Sequence, residues 1–82
     1  MNRDELGAAI VATLQGIAPE LEAGELQPDR LLREQVDLDS MDWLNFLVAV
    51  HERFGVDIPE ADYARLATLD AIVDYVRAKR PG

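Results

Sequence analysis

Residues 37–55 read "DLDSMDWLNFLVAVHERFG", and the spacing of their apolar side chains decides the fold class. Trp43, Phe46, Leu47, Val50 and Phe54 recur at helical intervals and form one stripe, while the residues between them are mostly polar. Such a pattern predicts an amphipathic helix that begins at Asp39 or Ser40, both residue types that favour helix starts, and stops at Gly55, a residue suited to a C-terminal cap.

Working outward, Asn2 with Glu5 three residues on has the form of a capping box, and Leu6, Ile10, Leu14 and Ile17 share a face of a first helix that ends near Pro19. Between Pro19 and Leu38 the chain is too irregular for a long helix. It holds Gly24, Pro28 and scattered leucines, of which Leu21, Leu26, Leu31 and Leu32 are the expected anchors to the core, with a short turn near 29–34. After Gly55, the stretch "VDIPEADYARL" (56–66) places Pro59 in the first turn of a short helix over Glu60–Leu66. Thr68 then caps a last helix whose inner face is Leu69, Ile72, Val73 and Val76. The expected fold is all-α: a four-helix bundle with three longer helices, one short helix and a long first loop, in one domain over residues 1–82.

Composition narrows the function. The 82 residues carry 16 acidic against eight basic side chains, a net charge of −8, which opposes binding to nucleic acid and favours basic partners. Most of the excess lies in residues 34–62, where Glu34, Asp37, Asp39, Asp42, Glu52, Asp57, Glu60 and Asp62 face Arg53 alone. No apolar run approaches the roughly 20 residues of a membrane span, and the N-terminus lacks a signal-peptide pattern, so a cytoplasmic, monomeric protein without membrane insertion is expected. With no cysteine and a single histidine, the chain offers no zinc site and no thiol of its own.

Ser40 sits between aspartates at the head of the central helix, a setting open to several kinds of chemistry. As a nucleophile it lacks a base: His51 lies 11 residues downstream on the same helix, roughly 16 Å away, and the one lysine is Lys79. No catalytic residue is therefore assigned. A calcium loop fails because Met41 and Asp42 occupy the fifth and sixth positions and Val48 the twelfth. Asp37, Asp39 and Asp42 read as surface charge, without an apolar cleft to make an acid–base pair of them. A hydroxyl at a helix N-terminus is, however, well placed to accept a phosphoester, because free N–H groups and the helix dipole favour an attached phosphate. From the residues alone, the competing reading of Ser40 is a plain helix cap.

The ordered set of motifs resembles the acyl carrier protein family. An Asp-Ser-Met triplet, here Asp39-Ser40-Met41, opens the second long helix, followed by "FGVDIP" at 54–59 and "TLDAIVDYV" at 68–76, with the length, acidity and long first loop in agreement. The resemblance implies that Ser40 carries 4'-phosphopantetheine, added from coenzyme A by a phosphopantetheinyl transferase, and that Asp39 serves recognition at the modification site. It implies a non-catalytic shuttle that holds acyl groups as thioesters for fatty-acid, lipid or polyketide biosynthesis. Its partners would be an acyl ligase, ketosynthase or acyltransferase with a basic docking face. Met41, Asp42, Asn45, Val48 and Glu52 are the expected partner surface.

Several residues depart from the family pattern. Asp37 stands where a glycine is common, so the loop into the second long helix is expected to be held differently. Asn45, His51 and Arg53 occupy positions that are often acidic, which points to a specialised carrier with its own ligase or synthase. Trp43 is expected to narrow or block an acyl pocket between helices. His51 reads as a solvated helix residue, Tyr63 and Tyr75 as edge-of-core packing, and Arg65 and Arg77 as members of loose surface ion pairs. The alternatives are an unmodified acidic interaction module and a peptidyl carrier, the latter disfavoured because a Gly-Gly lead into the serine is missing.

Overall fold

A computed structural model of the chain describes residues 2–79. Its elements in order are α1 (Arg3–Ile17), a 3-10 turn (Ala23–Glu25), the one-turn α2 (Leu32–Gln35), α3 (Ser40–Phe54), a 3-10 helix (Glu60–Arg65) and α4 (Leu69–Lys79). No strand occurs among the described residues. Leu31 and Thr68 form an isolated antiparallel bridge.

The helix ends follow local chemistry. Asn2 accepts a hydrogen bond from the Glu5 amide at 2.8 Å, and the Thr68 hydroxyl accepts one from the Ala71 amide at 3.1 Å, so both predicted caps form. Gly55 takes a left-handed conformation, φ 63°, and its N–H reaches the His51 carbonyl, closing α3 as glycine readily does. The short segment after Pro59 is a 3-10 helix, tighter than the helix expected there and ending one residue earlier.

α1 packs against both α3 and α4, with Leu6, Ile10 and Leu14 facing Phe46, Leu47, Val50, Ile72 and Val76 in one buried cluster. Full burial of each such side chain contributes about 1.5–3 kcal/mol. Arg3 clasps α1 to α4 through Asp70 and Asp74 at the surface.

The first loop is ordered by backbone pairing with the start of α4. Leu32 donates to the Ala67 carbonyl at 2.9 Å and Asp70 donates to the Pro28 carbonyl at 3.0 Å. Leu32, Val36 and Leu38 enter the core, while Leu21 and Leu26 pack against its edge. Leu31 corrects the sequence reading: it is 45% exposed, because its backbone bridges to Thr68 and the next residue, Leu32, takes the inward place.

Gln35 braces the middle of the first loop. Its side chain accepts from the Gln27 amide at 2.7 Å and donates to the carbonyls of Gln27 and Arg30 at 2.9 and 3.1 Å. No non-glycine residue among those described has positive φ, so Asp37 occupies its place in the loop without needing a glycine's freedom.

Candidate functional site: the head of α3 and the cleft beside it

Asp39 is the N-cap of α3. Its backbone is extended, its carboxylate accepts from the Asp42 amide at 2.7 Å, and its carbonyl accepts from the Trp43 amide at 3.0 Å. Ser40 is therefore the first residue of the helix proper, not its cap, which overturns the plain-cap reading. The cap work falls to Asp39, leaving the Ser40 hydroxyl exposed and without a hydrogen-bond partner among the described residues.

Below Ser40 the outer face of α3 is more apolar than its sequence neighbourhood suggests. Met41 is 65% exposed, Leu44 39% and Val48 42%, at positions i, i+3 and i+7 of one stripe. Asn45 and Glu52 lie exposed beside it, and Asp42 is half-buried. Leu44 is missing from the surface predicted from sequence. Its spacing from Met41 and Val48 is the signal that identifies it.

Arg53 turns the other way. Its guanidinium donates to the Thr13 hydroxyl of α1 at 3.0 Å, and that hydroxyl in turn donates to the Ala9 carbonyl at 2.9 Å. This supports Thr13, the one buried polar residue among the described core positions.

A cleft of about 290 Å³ opens between α3 and the segment after Gly55, lined by Leu47, Val48, His51, Asp57, Ile58, Pro59 and Tyr63. Trp43, expected to narrow a pocket here, is not among its lining residues. Its ring packs on Phe46 with centroids 5.5 Å apart and planes tilted by 46°. Tyr63 is the aromatic residue that bounds the cleft.

Two polar links hold the far wall. The His51 ring is exposed, as expected, yet its Nδ1 lies 2.8 Å from the Val56 carbonyl. The buried Tyr75 hydroxyl donates to the Asp62 carboxylate at 2.6 Å and also reaches the Asp57 carbonyl at 3.4 Å. Burial, then the bond to Asp62 and that residue's charge, push the Tyr75 phenol up to about 12. Arg65 pairs with Asp62 at 3.7 Å, whereas Arg77 has no ion-pair partner among the described residues.

The model of the phosphopantetheine attachment site family matches residues 8–76, a span that contains all of α3 and the cleft. The chain belongs to the acyl carrier family. An acyl carrier protein of Thermosynechococcus vestitus is 30% identical, the match covering 96% of each chain, and one of Rubrobacter xylanophilus is 29% identical over 93% of each. A meromycolate extension acyl carrier protein of Mycobacterium leprae is 30% identical over 85% of this chain and 57% of its own length. The fold matches that of the acyl carrier protein from Enterococcus faecalis with a TM-score of 0.74, covering 98% of this chain and 100% of that one at 22% identity.

The cofactor of this carrier family is 4'-phosphopantetheine. The head of α3 fits it: an exposed hydroxyl, beside the free amides of a 15-residue helix, suits a phosphoester. Among the described residues, no helix is long and apolar enough to cross a membrane.

Proposed function

We propose that Ser40 is the phosphopantetheine acceptor and that residues 1–82 act as one carrier domain, a shuttle that leaves catalysis to its partners. The observation that carries this is the exposed Ser40 hydroxyl in the first turn of α3, without a hydrogen-bond partner among the described residues, with Asp39 doing the capping. In arm attachment the Ser40 oxygen forms a bond to the phosphorus of coenzyme A that bears the pantetheine. The nucleotide part leaves, and the hydroxyl proton passes to a base of the transferase. The attached group supplies the thiol that binds acyl chains as thioesters, which the cysteine-free chain lacks.

Asp39 serves both the helix and the transferase: its backbone and carboxylate set the turn in which Ser40 is presented. Met41, Leu44 and Val48, flanked by Asp42, Asn45 and Glu52, are the surface on which partners dock. An apolar stripe among acidic residues suits an acyl ligase, ketosynthase or acyltransferase whose docking face is basic around an apolar centre. Charge steers such encounters and keeps them brief. The setting is the cytoplasm, where such a carrier acts as a monomer.

Incubation with coenzyme A and a broad-specificity transferase, followed by intact mass, tests the assignment. One arm on the wild-type chain and none on Ser40→Ala is the expected result. A wild-type chain left bare by several competent transferases would favour the unmodified interaction module.

A further inference from the structure

We infer that a groove in the first loop receives an arginine side chain of the enzyme that docks on α3, so that charge is read at the loop and apolar surface at the helix. This rests on the reading of α3 as the docking face.

Charge and apolar surface are separated in this chain. From Ser40 to Val50 the exposed residues of α3 are Ser40, Met41, Leu44, Asn45 and Val48, and none of them carries a charge. Carboxylates collect instead in the first loop, where Glu20, Glu22, Glu25, Glu34 and Asp37 line a groove of about 390 Å³ against Arg30 alone. All five are exposed, and no ion pair among the described residues uses any of them or Arg30. Asp37 joins the two regions. It stands three residues before Ser40 and four before Met41, at most roughly 11 and 14 Å along the backbone, so one partner footprint covers both.

The groove fits arginine in shape as well as charge. Leu21 and Leu26 are half-buried and Val36 is buried, an apolar floor for the methylene stem of a long side chain whose head stays at the wet rim. Gln35 holds the walls: its side chain ties the backbone of Gln27 and Arg30 by bonds of 2.7, 2.9 and 3.1 Å, so the cavity exists before a partner arrives. A guanidinium pairs its planar fork with carboxylates and sheds water more readily than an ammonium does. Like charges around the groove repel one another, and an arriving cation relieves that cost. A neutral or acidic segment gains nothing there.

The test titrates isotope-labelled carrier, bearing its arm at Ser40, with three probes: Nα-acetyl-arginine amide, its neutral citrulline counterpart, and a peptide in which four glycines separate an arginine from two leucines. The readouts are the magnetic-resonance shifts of the Leu21, Leu26, Val36 and Asp37 amides and the Gln35 side-chain amide for the groove, and of the Met41, Leu44 and Val48 amides for the stripe. Expected are saturating groove shifts with arginine amide and much smaller ones with citrulline. The peptide should shift groove and stripe together and bind several-fold tighter than arginine amide. Glu25→Gln with Glu34→Gln, both at exposed positions, should weaken arginine binding several-fold. Asp4→Asn with Glu60→Gln removes the same charge outside the groove and should leave that binding nearly unchanged. Equal binding of citrulline, equal loss in the two double variants, or a peptide seated on the stripe with its arginine free would overturn the inference. A chain that takes no arm at Ser40 overturns the carrier assignment and the docking reading with it. A chain that takes the arm while its groove ignores arginine overturns this inference alone.

Discussion

Replacing Asp39 separates its two roles. Asp39→Ala removes the 2.7 Å bond from the Asp42 amide, the side-chain cap of a 15-residue helix. Loss of an aspartate cap costs about 1 kcal/mol, within a range of roughly 0.5–2. Loss of a negative charge at the positive end of the helix dipole adds about 0.3–1 kcal/mol. For a domain of this size each kcal/mol lowers the melting temperature by roughly 4–8 °C, so Asp39→Ala should melt about 5–15 °C below wild type. Asp39→Asn keeps a side-chain acceptor at the cap and loses only the charge, so its melting temperature should fall by about 1–8 °C. On the proposed role of Asp39 in recognition, arm attachment, followed by intact mass at early times, should be sharply slower in both variants. Wild-type melting of the alanine variant would refute the capping argument. A wild-type modification rate in the asparagine variant would remove the charge from the recognition site.

Other expectations rest on the core, the α3 terminus and the cleft wall. Phe46→Ala, at a fully buried position between α1 and α3, should cost about 3–5 kcal/mol in urea unfolding, a large share of the roughly 5–15 kcal/mol that holds a domain folded. Gly55→Ala forces a side chain into φ 63° and should cost about 1–2 kcal/mol in the same measurement, although open space surrounds the new methyl. The Tyr75 phenol holds its proton more tightly folded than unfolded. Its contribution is therefore complete below pH 10 and is lost as pH rises toward about 12. Denaturant titrations across that window should show a decline that Tyr75→Phe lessens; an unchanged slope in the variant would assign the decline to other groups.

Helix boundaries were legible because their causes lie within a few residues. Asn2 and Thr68 cap neighbouring amides, Gly55 closes α3 on His51, and the stripes of α1, α3 and α4 repeat at the period of a single helix. The motif behind the proposed acceptor was legible for the same reason: Ser40 stands beside Asp39 at a helix start. Less visible was the division of labour there, since Asp39 and Ser40 are both good caps and only the backbone path shows which residue is already helical.

By itself, then, the sequence determined the helices, their ends, the acidity of the surface and the serine at the head of α3, all properties of neighbours along the chain. Tertiary structure alone decided that Leu32 goes inward while Leu31 stays exposed, and that Tyr63, Asp57 and His51 meet around a cleft. Each of those outcomes depends on a segment many residues away that must first be brought into place: α4 beside the first loop, and the chain after Gly55 beside α3. Local periodicity says which face of a helix is apolar, but the elements that arrive against that face decide which side chains it buries.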